Sequence, residues 1–409
     1  MSASHAVTGT TMQALKARVA PIKPPLGVQA MFGILFILGA ATFIIEVRID
    51  PTRAYAAFLI GFWYFMGLGL AGTFFTALHY LVGATWSIVV RRVAESFSSY
   101  LPIALLLLLV LLIGIPHLYV WSAPAGAEGA HAGVDLTKGH YLSTPFFTLR
   151  SVTFLVVWSL FAWYFIRNSL RQDKATAPDR KLVQSSVKAS AAFILIFAIT
   201  VTLAAFDFLM SLEPTWYSTI FGVYCFAGLW QSGLAALTIV VVLLRRQGAL
   251  QGVVSRFHYW DLGKLMFAFS VFWVYIGFSQ FMLIWYANLP EEITYMIHRT
   301  FTGWGGVGIA LGTLRFVIPF FVLMPQKCKE NEIVLLTVSG CILIGQWVDL
   351  YWLVLPAFSP QSVVLGWTEI GTTLGFVGLF GWWILRFLSR HPVAAVNDPL
   401  FEASLRFHE

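Results

Sequence analysis

The sequence predicts an all-α membrane protein whose chain crosses the bilayer about ten times. Hydrophobic residues make up 58% of the 409 residues and charged residues only 11%, a composition far from that of soluble globular domains. Several apolar runs exceed the roughly 20 residues that a helix needs to cross a bilayer core of about 30 Å. The short alternating segments that build a membrane β-barrel are not visible.

Ten candidate helices follow from apolar length and from the Gly, Pro and polar residues between the runs. In chain order they are 28–46, 55–82, 100–121, 145–167, 187–208, 216–244, 262–287, 300–324, 332–355 and 362–387. Because no helix breaker interrupts "ATWSIVVRRVAE" after Gly83, the second helix is expected to continue through this segment beyond the membrane.

Lys and Arg residues are divided unequally between the two sides of this arrangement. The side that holds both termini carries 20 of the 26 basic residues, and the other side carries four. Basic residues concentrate in cytoplasmic connections, so both termini are predicted to be cytoplasmic. The net charge of +7 then reflects topology and attraction to anionic lipids, and nucleic-acid binding is the poorer interpretation.

Two polar segments stand outside the predicted helices. The chain divides into an N-terminal arm (1–27), a transmembrane domain (28–387) and a C-terminal tail (388–409). No convincing cleavage site follows the first helix, so the arm is interpreted as a retained cytoplasmic segment that lies against another subunit. The long outer connection "SAPAGAEGAHAGVDLTKGHYLSTP" is equally compatible with contact to an external partner and with a mobile loop.

Metal and haem sites are disfavoured within this chain. Its three cysteines are far apart and show no CxxC or CxxCH spacing, which argues against covalent haem, iron–sulfur clusters and structural zinc. His79 and His258 are both on the inner side, but His258 precedes its predicted helix, so they make a poor pair for b-type haem. His79 is interpreted as a hydrogen-bonded interior residue or as a member of a proton relay.

Three acids lie at membrane depth in the outer half. An ionisable side chain there costs about 3 kcal/mol on insertion scales unless it is paired or hydrated. The segment "TLAAFDFLMSLEPTWYST" places Asp207 one turn inside a helix-ending turn, at which Glu213 is expected to lie at the membrane rim with Arg299. The ninth helix carries Asp349, and the tenth carries Glu369.

These acids have two interpretations. With Gln280, Tyr275 and Tyr286 of the seventh helix they would build a hydrated half-channel for protons, since burial disfavours the ionised form of a carboxylate. Alternatively Asp349 and Glu369 pair with interior partners such as Arg150 and hold the bundle together. For any single acid the structural role is the preferred interpretation. Three uncompensated acids would stabilise a bundle poorly, so for the set of three both interpretations stay open.

The inner half has a simpler interpretation. Asp261 and Lys264, in "HYWDLGK", have the spacing of an i,i+3 pair at the start of the seventh helix. A helix start at headgroup level is the preferred interpretation of both. Arg315 is expected to extend its head to the interface. Aromatic belts account for most of the 16 tryptophans and 14 tyrosines, which would otherwise suit a quinone pocket.

Three segments together resemble a known family. "FDFLMSLEPTWYSTIFGVYCFAGLWQSGLAAL", "DLGKLMFAFSVFWVYIGFSQFMLIWYANLPEE" and "QWVDLYWLVLPAF" are similar to the NrfD/polysulfide-reductase membrane subunits, most closely to the smaller NrfD-like subunit of bacterial alternative complex III. The resemblance extends from the second helix to the tenth. It implies two four-helix bundles flanked by two further helices.

The resemblance also implies a function within a larger assembly. That assembly is a quinol oxidoreductase of the bacterial inner membrane that passes electrons to cytochrome c or a blue copper protein in respiration or photosynthesis. Its other subunits are a larger NrfD-like membrane protein, a periplasmic iron–sulfur protein, and multihaem and monohaem cytochromes c. These partners carry the haem c and the clusters, the larger sister subunit is the better candidate for quinol oxidation, and lipids surround both.

No redox centre and no catalytic residue is expected in this chain, and its residues establish no quinone pocket. In the family, intramembrane acids are candidates for a proton path, and this role carries over to Asp207, Asp349 and Glu369. It extends further to three inner residues, His79, Asp261 and Lys264. A purely structural anchor for the periplasmic electron-transfer subunits is the first alternative. A secondary transporter is the second, disfavoured because the halves show no sequence repeat.

Overall fold

The computed structural model describes residues 19–123 and 140–407. In these ranges it is helical without strands, and ten helices are long and apolar enough to cross a membrane. The predicted fold class, an all-α multi-pass membrane protein, is therefore confirmed. Spans 1 to 10 are Leu26–Ile49, Pro51–Leu81, Ile88–Ile113, Thr144–Lys174, Arg180–Leu212, Phe221–Arg246, Arg256–Ala287, Gly305–Leu323, Glu332–Ala357 and Trp367–Leu388.

The expected extension of the second helix past Gly83 is wrong. Span 2 ends at Leu81, and Gly83 turns the chain with a φ of +63°, a left-handed conformation that favours glycine. The helix Ile88–Ser98 then opens span 3 and continues as Leu101–Ile113. Arg91 and Arg92, counted above as part of a connection, thus lie inside span 3.

Spans 2 to 5 pack into one bundle and spans 6 to 9 into a second, with spans 1 and 10 paired against span 2. Span 2 is the centre of the fold, since 94% of its most apolar window is buried. Spans 1 and 10 meet through small residues. A methyl group at Gly39 would lie 2.2 Å from the Cα of Gly375, so glycine at both positions lets the backbones touch.

Both described ends of the chain meet on one side of the membrane domain, which we call the terminal face. Val19 is fully buried and its carbonyl accepts a hydrogen bond from the Val393 amide at 2.8 Å, while the Ile22 amide bonds the Leu388 carbonyl at 3.1 Å. The chain ends in a short helix, Phe401–Leu405, whose Phe401 is buried. The described part of the tail thus packs on its own chain.

The rest of the predicted arm (1–18) and most of the long connection (124–139) lie outside the described residues. The contacts expected of both segments stay predictions. The side that carries this connection is called the opposite face below. It also carries the helix Pro290–Thr300 and the turns Val120–Ser122, Met210–Leu212 and Leu355–Ala357. The helix Gln326–Glu330 lies on the terminal face between spans 8 and 9.

Candidate functional site

Each of the three acids expected to line a proton path is buried and paired with an arginine from another helix. The exposed fractions of Asp207, Asp349 and Glu369 are 0%, 2% and 1%. The premise that these acids are uncompensated is therefore wrong, and structural pairing is present at all three. Their role in moving protons stays a prediction that depends on what each pair can do chemically.

Asp207 of span 5 pairs with Arg150 of span 4. The Arg150 Nε donates to Oδ2 at 2.9 Å and Nη2 donates to Oδ1 at 2.7 Å, the two-bond geometry that arginine forms with carboxylates. Nη1 donates to the Tyr141 carbonyl at 3.0 Å, and the guanidinium lies 3.8 Å from the Tyr141 ring centre. Burial, and then the charge of Asp207, raises the pKa of Tyr141 to about 12, so its hydroxyl stays protonated at neutral pH.

Asp349 of span 9 belongs to a larger network. Arg315 of span 8 donates to Asp349 Oδ2 from Nη1, and the Tyr224 hydroxyl donates to Oδ1 at 2.6 Å. The Oε1 of Gln231 accepts from Arg315 Nη2 at 2.6 Å and from Nε at 3.0 Å, and the Gly228 carbonyl accepts from Nη2 at 3.3 Å. Arg315 is 0% exposed. Its expected extension to the interface is therefore wrong.

The backbone of span 8 places Arg315 by a local departure from the α-helix. Thr313–Val317 forms a π-helical turn, and Pro319 follows it. Proline lacks the N–H that would bond the carbonyl four residues earlier, and the Arg315 carbonyl instead accepts from Gln231 Nε2 at 2.9 Å. A methyl group at Gly345 of span 9 would lie 2.5 Å from Arg315 Cγ, so glycine makes room for the arginine stem.

Glu369 opens span 10 and pairs with Arg53 of span 2. Arg53 Nε donates to Oε1 at 2.7 Å and Nη2 to Oε2 at 2.9 Å. Oε2 also accepts the Gly366 amide at 2.7 Å, so the carboxylate caps its own helix as well. The Arg53 side chain is 29% exposed, which makes this pair the most accessible of the three.

A cavity of about 190 Å³ lies beside the Asp349 network, between spans 6, 7, 8 and 9 and the helix Pro290–Thr300. Its wall is mainly apolar, and Gln280 and Tyr224 belong to it. Because Tyr224 both lines the cavity and donates to Asp349, a molecule in the cavity is one side chain away from the carboxylate. Gln280 is 5% exposed, but Tyr275 and Tyr286 are 62% and 84% exposed, so their expected place in a channel is wrong.

Arg299 is another buried arginine that the sequence assigned to the membrane rim. It is 1% exposed, and its Nη2 donates to Glu213 Oε1 at 2.7 Å and to the Leu353 carbonyl at 2.9 Å. Its guanidinium lies 3.5 Å from the Tyr295 ring centre. Glu213 does lie at a helix-ending turn, as expected, and there it ties the helix Pro290–Thr300 to the end of span 5.

The histidines of the terminal half are buried in separate bundles. His79 of span 2 is 7% exposed, and its Nδ1 lies 2.7 Å from the Phe75 carbonyl. This agrees with an interior hydrogen-bonded residue, while its relay role stays a prediction. His258 does not precede its helix as expected: span 7 begins two residues earlier, and the Ser255 amide donates to His258 Nδ1 at 3.0 Å.

Asp261 and Lys264 form the expected i,i+3 pair in the first turns of span 7. Their oxygen and nitrogen lie 2.7 Å apart, and the side chains are 9% and 39% exposed. Such a pair fits a helix start near the interface. Nothing in this geometry tests a part in a proton path, which stays a prediction for both.

Sequence reasoning missed a buried charge cluster on the terminal face. Arg91 Nη2 lies 2.6 Å from Asp398 Oδ2, Arg92 Nη1 lies 2.9 Å from Glu95 Oε2, and Arg92 Nη2 also pairs with Asp173. The two arginines are 4% and 0% exposed. The cluster joins span 3, span 4 and the C-terminal segment. The signal was in "RRVAE", whose i,i+3 and i,i+4 spacing puts the glutamate beside both arginines.

No protein-family model matches this chain, and no curated protein matches it. The resemblance to NrfD-like subunits therefore stays a prediction, as do the cofactors and partners that it implies. Among the described residues, no group of three or more His, Cys, Asp and Glu side chains is arranged to hold a metal ion.

Proposed function

We propose that this chain is an integral, non-redox subunit of a quinol:electron-acceptor oxidoreductase of the alternative complex III type, located in the bacterial inner membrane. We further propose that Asp349 exchanges a proton on a path from the opposite face. The resemblance of three segments supports the first statement. The contact of Asp349 with Tyr224, at the wall of a cavity, is the observation that supports the second.

The partners of Arg315 make proton exchange at Asp349 chemically reasonable. A proton on the carboxylate would leave the buried guanidinium without its counter-charge, which is costly in a desolvated site. Gln231 and Gly228 already accept three hydrogen bonds from this guanidinium. Arg315 therefore keeps neutral acceptors while Asp349 is protonated, whereas Arg150 has one acceptor besides its acid among the described residues.

On this proposal protons pass between Asp349 and the cavity by way of the Tyr224 hydroxyl. That hydroxyl is both a donor and an acceptor, so it can pass a proton without changing its own charge. His79, Asp261 and Lys264 would continue the path in the terminal half. The electron-transfer chemistry belongs to the partners: the sister membrane subunit, the iron–sulfur protein and the cytochromes c.

A structural anchor for the electron-transfer subunits is the second candidate. The acid–arginine pairs favour it, because each joins two helices, and two of the pairs lie near the opposite face, where such partners would sit. Asp207 and Arg150 tie span 5 to span 4, and Glu369 and Arg53 tie span 10 to span 2. In this case none of the acids moves a proton.

Replacement of Asp349 by Asn separates the two candidates. The assembled complex would be purified, its subunits identified, and its quinol-driven proton release measured in reconstituted vesicles together with electron transfer. We expect Asp349→Asn to assemble, to keep electron transfer and the protons that quinol oxidation itself releases, and to lose the further protons released per electron, because Asn cannot take up and pass on a proton. The matched control is Glu213→Gln, at an ion pair of the same face, which should release protons as the unmodified complex does.

Normal proton release by an assembled Asp349→Asn complex would leave only the anchor. Isolation of this chain alone in a stable form that transports a solute would overturn both candidates and support a transporter. Photolabelling with an azidoquinone tests whether the sister membrane subunit alone binds quinol, since label on this chain would contradict a non-redox role.

A further inference from the structure

The terminal face carries a second cavity, of about 420 Å³, where spans 6, 7 and 9 begin or end. Three arginines line it: Arg245 and Arg246 end span 6, and Arg256 begins span 7. The first turn of span 9 adds Glu332 and Ile333. The cavity thus lies at helix ends, the level at which a membrane protein meets lipid headgroups.

The wall of this cavity has a surplus of positive charge. The carboxylate of Glu332 pairs with Arg245 and with Arg246, whose Nε lies 3.0 Å from Oε2. Glu330, the other acid of the wall, accepts a hydrogen bond from Gln326 at 3.0 Å. Three guanidinium groups therefore face two carboxylates. A singly charged anion would bring the wall to neutrality.

The arginines also have donors to spare. A guanidinium has five N–H groups, and Arg246 bonds the protein through Nε alone among the described residues. Arg256 is exposed and makes no ion pair within them. Two neighbouring guanidinium forks suit the oxygens of a phosphate. The Asn331 side chain already accepts hydrogen bonds from the amides of Ile333 and Val334. The donors for an anion are therefore the arginine side chains and not these amides at the start of span 9.

Apolar surface adjoins these donors. Ile333 belongs to the cavity wall and is 67% exposed, and Leu243, one turn before Arg246 on the same helix face, is 44% exposed. A free phosphate would leave this surface bare, whereas acyl chains would cover it. We propose that the cavity binds the phosphodiester headgroup of an anionic membrane lipid, with its acyl chains along Ile333 and Leu243.

Lipid retention tests this proposal. The full chain, in whatever assembly it is purified with, would be exchanged into nanodiscs of phosphatidylcholine that contain phosphatidylglycerol, and the lipid that co-purifies after detergent extraction would be quantified by mass spectrometry. Arg256→Gln breaks no ion pair with the described residues and should weaken phosphatidylglycerol binding about fivefold. Arg246→Gln together with Arg256→Gln should weaken it about 30-fold, from about 1 kcal/mol for each interfacial charge.

The matched control is Lys327→Gln with Arg390→Gln, which removes two exposed basic residues of the same face outside this cavity and should leave binding unchanged. Equal losses in the control and in the arginine variants would reduce the site to general surface charge and overturn the proposal. Glycerophosphate supplies the headgroup alone: if it competes as well as phosphatidylglycerol, the ligand is a free phosphate compound and the lipid assignment fails. Ile333→Ser should weaken the lipid and not glycerophosphate.

Discussion

The substitution Asp349→Asn also makes a strong prediction about stability. It removes the counter-charge of an arginine that is 0% exposed and leaves that guanidinium in a desolvated site. Removing one partner of a buried pair costs about 3 to 5 kcal/mol. The lower end, about 3 kcal/mol, is expected here because Gln231 and Gly228 still accept hydrogen bonds from Arg315.

Equilibrium unfolding in mixed micelles, followed by tryptophan fluorescence, measures this free energy of unfolding. Glu402→Gln, at an exposed acid of the terminal helix, is the control and should stay within about 0.5 kcal/mol of the unmodified chain. The double replacement Arg315→Met with Asp349→Leu removes both charges and should be less costly than the single one. A loss below about 1 kcal/mol for Asp349→Asn, or a double variant at least as costly as the single one, would refute a coupled buried pair.

Three further outcomes are expected. Gly345→Ala should lower the free energy of unfolding by about 1 to 3 kcal/mol, because its methyl group would lie 2.5 Å from Arg315 Cγ. Gly340→Ala of the same helix places its methyl group in open space and should be tolerated in the same unfolding assay. Arg150→Gln leaves Asp207 buried without its charge partner and should cost about 3 to 5 kcal/mol; a loss under 1 kcal/mol would contradict this. Burial, and then nearby positive charge, lowers the pKa of His391. Below about pH 6.5 the unfolded chain therefore binds more protons than the folded chain, and acid should loosen the C-terminal segment. Proteolysis of this segment should become faster as the pH falls from about 7.5 to 5.5, and His391→Gln should abolish that change.

The ten spans could be predicted from the sequence because apolar length is a local property. The predicted bounds of spans 2 and 3 differ from the observed ones because the glycine between them was misinterpreted. Gly83 was treated as a residue within a continuing helix, although its positive φ turns the chain back. The segment behind it contains two arginines and a glutamate and looked like a cytoplasmic extension. Packing against span 4 and the C-terminal segment buries these charges instead.

The acids of the candidate site were found, but their pairing was not: Arg150 was expected beside Asp349 or Glu369, and it pairs with Asp207. Arg53 and Glu369 are 316 residues apart and Arg150 and Asp207 are 57 apart, and neither separation has a periodicity that a single sequence could reveal. Arg315 was misplaced for a different reason. An isolated arginine in a span usually extends to the interface, and only the packed structure shows that neighbouring helices supply its acceptors.

The contact between spans 1 and 10 has a consequence for how the chain is made. Span 1 is synthesised before span 10, on whose glycine surface it rests, and eight spans lie between the two in the chain. Until span 10 is inserted, span 1 lies in the bilayer without this partner. Only 11% of its most apolar window is buried even in the finished fold, so its apolar surface suits a lipid environment. These two helices can dock only after span 10 has been inserted, and their docking shields the central span from the surrounding lipid.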